Sequence, residues 1–156
     1  MRKFLPWIIA GGLVLIGYFY FKGINNTAVT LDQDVKESWG NVQTSYQRRN
    51  DLIGNLVKTV KGAADFEKST LEAVISARSK ATAVTIDPTN ITPEQLAQFN
   101  QAQSGVSSAL SRLLVTVEQY PDLKANQNFL KLQDELASTE NQILTSRTRF
   151  NEAVKL

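Results

Sequence analysis

The pattern of hydrophobic and polar positions divides the chain into an uncharged N-terminal segment and a long amphipathic remainder. From Phe4 to Phe21 the sequence FLPWIIAGGLVLIGYFYF contains no charged residue over 18 positions. At a rise of about 1.5 Å per residue, a helix of this length approaches the thickness of the hydrocarbon core of a bilayer. Residues 4–22 are therefore predicted to form a transmembrane helix.

The residues near the two ends of this segment are consistent with a membrane span. Four of them belong to residue types that are enriched at membrane–water interfaces: Trp7, Tyr18, Tyr20 and Lys22. Arg2 and Lys3 precede the apolar run, and positive charge is preferentially retained on the cytoplasmic side. Residues 1–3 are thus expected to be a short cytoplasmic N-terminus, with the remainder of the chain outside the cytoplasm.

A cleaved signal peptide is the main alternative interpretation, since a basic start precedes an apolar run. Cleavage requires small residues after that run, whereas here it ends in Tyr18-Phe19-Tyr20-Phe21-Lys22. A buried core helix is disfavoured because apolar side chains surround this helix and no other segment is comparably apolar. A retained, single-pass signal anchor is the preferred interpretation.

Beyond a polar connector at 23–30, apolar residues recur at steps of three and four, which predicts amphipathic helices at 31–61, 66–84, 93–119 and 126–155. The tetrapeptides 30–33 (TLDQ) and 92–95 (TPEQ) each fit a capping box, and Asp65 is an acceptable cap for the second helix. The predicted fold class is all-α: the transmembrane helix is followed, over 31–156, by an antiparallel up-down bundle of about four long helices.

The seams of these helices have the heptad spacing of coiled coils. Their apolar members are Val35, Trp39, Val42, Tyr46, Ile53, Leu56, Val60, Leu71, Val74, Ile75, Ala81, Leu96, Phe99, Val106, Leu110, Leu113, Val117, Phe129, Leu132, Leu136, Ile143, Phe150 and Val154. Polar residues fill the remaining steps: Arg49, Arg78, Gln103, Arg147, and either Thr139 or Glu140. The seams therefore place charged groups on the inward faces of the helices.

Buried charges are rare unless paired, and the planar guanidinium group of arginine suits carboxylates. A candidate polar layer is therefore predicted from Arg49, Arg78, Glu140 and Arg147. Its preferred role is to fix the register of the helices, and the alternative is to bind an anion or a partner. A second candidate cluster surrounds one turn of the first bundle helix, where it is either a ligand site or a solvated face: Arg48, Asn50, Asp51 and Asn55.

Composition argues against several classes of function. The chain has no His and no Cys, which removes common metal ligands, thiol nucleophiles and Ser–His–Asp catalysis. Its formal net charge of +2 is far from the field that nucleic-acid binding requires. No glycine-rich phosphate loop is present. No catalytic residue, metal or cofactor is predicted, and nucleic acid is not an expected partner.

The order of motifs resembles the LemA family across nearly the whole chain after the N-terminal segment. The matching stretches are VKESWGNV (35–42), QRRNDLIGNLVKTVKG (47–62), FEKSTLEAV with ISAR (66–78), RLL (112–114), YPDLKANQNFLKLQDEL (120–136), STENQI (138–143) and RTRFNEAV (147–154). The chain departs from the family pattern at Gly54, where proline is common, and it stops at Leu156, before a C-terminal segment that many members carry.

The resemblance implies an N-terminal anchor and a helical bundle, and it does not imply a reaction. Relatives associated with bacterial membrane organelles point by analogy to membrane organisation. The expected function is a non-enzymatic interaction or scaffold module whose partners are the bilayer and other membrane or envelope proteins, including further copies of this chain. The alternative is an accessory or sensor subunit that binds an anionic ligand through the arginine layer.

Overall fold

A computed structural model describes residues 5–63 and 65–155, with side chains from residue 11 onward apart from residue 26. Over these residues the chain is helical, and no strand occurs in them. Helix α1 spans Leu5–Lys61, α2 spans Lys68–Ala83, α3 spans Pro93–Val117, α4 is a single turn at Pro121–Lys124, and α5 spans Gln127–Lys155.

The connector predicted at 23–30 is wrong, because α1 passes through it without interruption. Its glycine and asparagines lower helix propensity, but no proline is present to end the helix. The hydroxyl of Thr27 donates to the carbonyl of Gly23 over 3.0 Å, so this side chain bonds within the helix. The sequence 30–33 consequently lies inside a helix and does not begin one.

The N-terminal part of α1 projects beyond the other helices. We call residues 11–31 the α1 overhang; its large apolar side chains from Leu13 to Phe21 are exposed. Among the residues that the structure describes, no helix has both the length and the hydropathy that crossing a membrane requires. The predicted cytoplasmic residues 1–3, the first residue of the predicted span, Phe4, and the side chain of Trp7 lie outside the described part.

From Val35 onward, α1 packs with α2, α3 and α5 as an antiparallel bundle, in which α1 lies chiefly against α5 and α2 against α3. Trp39 packs on the ring of Phe150, with 5.1 Å between centroids, and Arg49 pairs with Glu140 farther along. Residue numbers therefore rise along α1 as they fall along α5. The described helices are thus consistent with the predicted helical bundle, and α1 and α5 are antiparallel within it.

The buried residues form two clusters along the bundle. The larger cluster is Leu52, Ile53, Leu56, Val60, Leu71, Val74, Ala81, Val106, Ala109, Leu110, Leu113, Val117, Leu123, Phe129 and Leu136. The smaller cluster lies toward the overhang and is Trp39, Val42, Tyr46, Ile86, Phe99, Ile143 and Phe150. Most predicted seam positions are thus confirmed as buried; Ile75 and Val154 are wrong, because both are exposed.

The helix ends follow local chemistry. The capping box before α3 is confirmed: the Thr92 hydroxyl accepts from the amide of Gln95, whose side chain accepts from the amide of Thr92. Asn126 caps α5 by accepting from the amides of residues 128 and 129. Asp65 does not cap α2, which begins at Lys68; it has a φ of 63°, and its carbonyl accepts from the hydroxyl of Tyr120.

The loop between α2 and α3 carries one local motif that affects ionisation. The carboxylate of Asp87 accepts from the hydroxyl and the backbone amide of Thr89, over 2.6 and 2.8 Å. These bonds stabilise the charged form and lower the pKa of Asp87 below its ordinary value. The loop is therefore ordered by its own side chains as it crosses the end of the bundle nearest the overhang.

Candidate functional site

The bundle interior contains a polar layer centred on Arg49, which is 2% exposed. Its Nη1 donates to Glu140 Oε1 over 3.0 Å and to Ser107 Oγ over 3.1 Å. Its Nη2 donates to the carbonyl of Gln103 over 3.3 Å and to the side-chain oxygen of the same residue. Helices α1, α3 and α5 are thereby linked through one guanidinium group.

The layer separates the two apolar clusters. Along α1, Arg49 lies between Tyr46 of the smaller cluster and Ile53 of the larger one, and Gln103 lies similarly between Phe99 and Val106 of α3. The face of the Tyr46 ring lies 4.9 Å from Arg49 Cζ, a cation–π distance. Helices α1 and α3 therefore change from apolar to polar at the same level.

The donors of Arg49 are largely used by the chain itself. A guanidinium group has five N–H donors, and the four terminal ones have acceptors in the contacts described above. Only Nε lacks a partner among the described residues. This geometry leaves little capacity for an external anion and matches a network that joins helices.

Glu140 reaches the layer from its outer edge. Its side chain is 45% exposed, in contrast to its buried partner. Thr139 is the inward residue at this step of α5, and its hydroxyl donates to the carbonyl of Glu135 over 2.7 Å. The two candidates for this seam step therefore divide the roles, with Thr139 filling the core and Glu140 supplying the counter-charge.

Arg78 lies one helical turn from the Arg49 layer and contacts α1 differently. Its Nε donates to the backbone carbonyl of Asn50 over 2.8 Å. A β-carbon built on Gly54 would meet the Arg78 guanidinium at 3.4 Å, an ordinary van der Waals contact, so this group lies directly beside Gly54 on the surface of α1. Arg78 therefore bonds to the backbone of α1 and not to a carboxylate.

Arg147 does not join the layer. It is exposed, and among the described residues it has neither a hydrogen bond nor an ion pair. Its side chain lines a small cavity of about 30 Å³ beside Trp39, Phe99 and Phe150. Of the four residues predicted for the layer, the structure directly pairs Arg49 with Glu140 and places Arg78 nearby.

The second predicted cluster is not a continuous surface. Arg48, Asp51 and Asn55 are exposed, whereas Asn50 is only 4% exposed. The carboxylate of Asp51 accepts from Gln47 of the preceding turn over 3.0 Å. The buried side-chain oxygen of Asn50 has no partner in the described part of the chain. These residues therefore lie around the helix and do not converge on a common point.

The remaining predicted residues lie in the overhang. Tyr18, Tyr20 and Lys22 are exposed on α1, and the ring of Tyr18 meets Phe19 at a centroid distance of 5.8 Å. Metal ligation was not expected from the sequence, and the described residues contain no group of His, Cys, Asp or Glu suited to a metal ion. The overhang and the polar layer are thus the two features with distinctive chemistry.

Sequence reasoning identified Gln103 only as a polar seam step and missed Ser107 altogether. Ser107 lies four residues after Gln103, on the same side of α3, and its hydroxyl reaches both Arg49 and the carbonyl of Gln103. The i, i+4 spacing was the available signal. A serine at that position carries no charge, so it did not stand out among the other small polar residues of this helix.

With this geometry established, comparison with known proteins identifies the family. The family model described as the LemA family matches residues 38–156. The chain belongs to the LemA family. The match begins within α1, just before Trp39, so the overhang lies outside it.

Curated relatives show the same relationship at low identity. Protein LemA of Metamycoplasma hominis is 27% identical over 141 residues, covering 89% of this chain and 61% of the relative. Magnetosome protein MamQ 2 of Paramagnetospirillum magneticum is 29% identical over 145 residues, covering 82% of this chain and 53% of the relative. MamQ of Magnetospirillum gryphiswaldense is similar at 28%. The chain therefore spans little more than half the length of these relatives.

Proposed function

We propose that this LemA-family chain is a non-enzymatic interaction module held at a bacterial membrane by the N-terminal part of α1. The observation that carries the proposal is the overhang: Leu13 and Phe21 are 65% and 70% exposed, in a run without charge from Phe4 to Phe21. Exposed apolar patches of this size on soluble proteins mark sites that another apolar surface covers.

The anchor is proposed to insert with residues 1–3 in the cytoplasm and the bundle outside, because Arg2 and Lys3 precede the apolar run. Its aromatic and basic end, from Tyr18 to Lys22, would then lie at the outer headgroup level. The names of the magnetosome relatives support a bacterial membrane-associated setting for this chain.

The bundle favours interaction over catalysis. Its one buried charge, among the described residues, is Arg49, whose terminal donors the chain itself satisfies. A catalytic group needs an accessible position next to a reacting atom, and Arg49 lacks one because it is 2% exposed, while the exposed carboxylate of Glu140 is engaged in the ion pair with Arg49. The polar layer is therefore proposed to fix the register of α1, α3 and α5, so that the bundle presents an unchanging surface to partners.

Membrane fractionation tests the anchor. The full chain is expected to sediment with membranes and to resist alkaline extraction, and a C-terminal reporter should be active only outside the cytoplasm. Leu13→Arg with Ile16→Arg should release the chain, because each arginine at a span centre costs about 2.5–3.5 kcal/mol. The matched control places arginines at Ile75 and Leu144, exposed apolar residues of the bundle, and should leave sedimentation unchanged. Release by both pairs, or by neither, would contradict the proposal.

A further inference from the structure

An apolar stripe runs along the overhang and continues the buried seam of α1. Tyr20, Ile24, Ala28, Leu31 and Val35 follow one another at steps of four, four, three and four, which places them on one side of the helix. Val35 packs against the smaller core cluster. The stripe therefore faces the side on which the bundle lies, but below Leu31 no helix of the described chain covers it.

The stripe and the end of the bundle together form a notch. A shallow, open depression lies along the stripe, lined by Tyr20, Gly23, Ile24, Thr27, Ala28 and Leu31 among others. A groove of about 610 Å³ lies at the bundle end beside Val35 and is lined there by Ile91, Leu96, Phe150 and the exposed Val154. The lining of the depression ends at Leu31 and that of the groove includes the adjacent Asp32, beside the C-terminal end of α5.

The part of the overhang nearest the bundle, residues 23–30, gains little stability as a helix from its own sequence. Residues 23–30 are GINNTAVT, and its glycine, asparagines, threonines and valine together cost about 4 kcal/mol relative to alanine. Every described side chain of this segment is exposed, so packing within the chain does not offset that cost. Most helical stability in proteins comes from packing of an amphipathic face, which indicates that another surface covers the stripe.

The geometry of the stripe limits which kinds of surface can cover it. In two copies anchored in the same membrane and paired through the stripe, each bundle would occupy the space of the other, because bundle and stripe lie on the same side of α1. Lipid does not reach the upper part of the stripe: residue 32 lies about 15 Å along α1 beyond Lys22, whereas a headgroup layer is about 5–8 Å thick. A helix rising from the membrane beside α1 satisfies both constraints.

We infer that the notch seats an uncharged helical face of a partner membrane protein, which runs beside the overhang and ends beside α5. The inference rests on the proposed function, since the membrane fixes the direction of the partner. Gly23 has open space where a β-carbon would project, which permits close helix approach. Residues 23–31 contain no charge, so the partner face is expected to lack charge as well.

The absence of native cysteine permits a direct test with single-cysteine full-length chains. Ala28→Cys and Leu31→Cys report on the part of the stripe beyond the headgroup layer, and Gln33→Cys, about 160° around the helix from Leu31, is the matched control. The rate of alkylation by a water-soluble maleimide is compared between native membranes and vesicles of phosphatidylethanolamine and phosphatidylglycerol that contain only this protein.

The stripe cysteines are expected to react about tenfold more slowly in native membranes than in vesicles, as when a partner fills about nine in ten notches. The Gln33→Cys chain should react alike in both. Equal rates at the stripe in the two preparations overturn the inference: fast reaction in both shows an open notch, and slow reaction in both shows cover by lipid or by another copy. Failure of the proposed membrane anchor can be distinguished from failure of this inference, because without an anchor the chain would leave the membrane fraction altogether.

Discussion

Replacing Arg49 by methionine tests the polar layer, because Arg49 is buried and donates to Gln103, Ser107 and Glu140. The buried amide of Gln103 would lose its donor, and an unsatisfied buried polar group costs about 1–3 kcal/mol. The loss at Glu140 is small, since its carboxylate is 45% exposed and regains water. Arg49→Met is therefore expected to lower the free energy of unfolding by about 2 kcal/mol.

Adding Gln103→Leu should reverse most of this loss. Exchange of a buried polar network for apolar residues of similar volume is often neutral or stabilising, so the double variant should unfold within about 1 kcal/mol of the original chain. Gln103→Leu alone strands part of the Arg49 guanidinium group and should cost about 2–3 kcal/mol. The two substitutions are thus expected to be strongly non-additive.

Urea unfolding of the full chain in detergent micelles, followed by circular dichroism, measures the four members of this cycle. Gln101→Leu is the control, because Gln101 is an exposed glutamine on the same helix, and it should change stability by less than about 0.5 kcal/mol. A double variant that loses the sum of the two single losses would refute the inference that Arg49 and Gln103 act as one unit.

Two further predictions follow from the helices around this layer. Gly54→Pro removes the backbone amide that bonds the Asn50 carbonyl. Because Arg78 also donates to that carbonyl, the carbonyl keeps a partner. The loss in free energy of unfolding should therefore stay below the roughly 2 kcal/mol expected for Gly40→Pro. In thermal unfolding, Gly54→Pro should destabilise an Arg78→Ala chain by the full amount expected for Gly40→Pro. Equal destabilisation with and without Arg78 would contradict the inference that Arg78 supports this carbonyl. Thr92→Ala breaks the capping box and should cost about 1 kcal/mol, lowering the melting temperature by about 2–4 °C; an unaltered transition would disprove it.

The heptad spacing predicted which residues face inward because that depends only on the geometry of one helix. Arg49, Gln103 and the step at 139–140 were all located in this way, and the structure brings them to one level. Spacing within a helix does not specify how helices are aligned with one another. Arg147 therefore shares a seam with Glu140 but lies beside the aromatic cluster, and the link from Arg78 to a backbone carbonyl had no sequence signal.

The error at 23–30 has a different physical origin. Glycine, asparagine and threonine favour caps and turns over helix interiors, which made GINNTAVT resemble a connector between two helices. Propensity is a weak prior, however, and the apolar steps at Ile24, Ala28 and Leu31 continue the period of α1 through the segment. The structure follows this period and not the composition.

In the proposed membrane placement, the continuous helix would fix the bundle relative to the anchor. A flexible eight-residue linker would let the bundle sample separations of about 15 Å in any orientation, whereas the same residues as a helix fix a rise of about 12 Å. A helix also fixes rotation, so the stripe stays beside α5 and the notch keeps one direction relative to the anchor. A partner helix then meets a preformed site and loses less freedom on binding than it would beside a mobile domain.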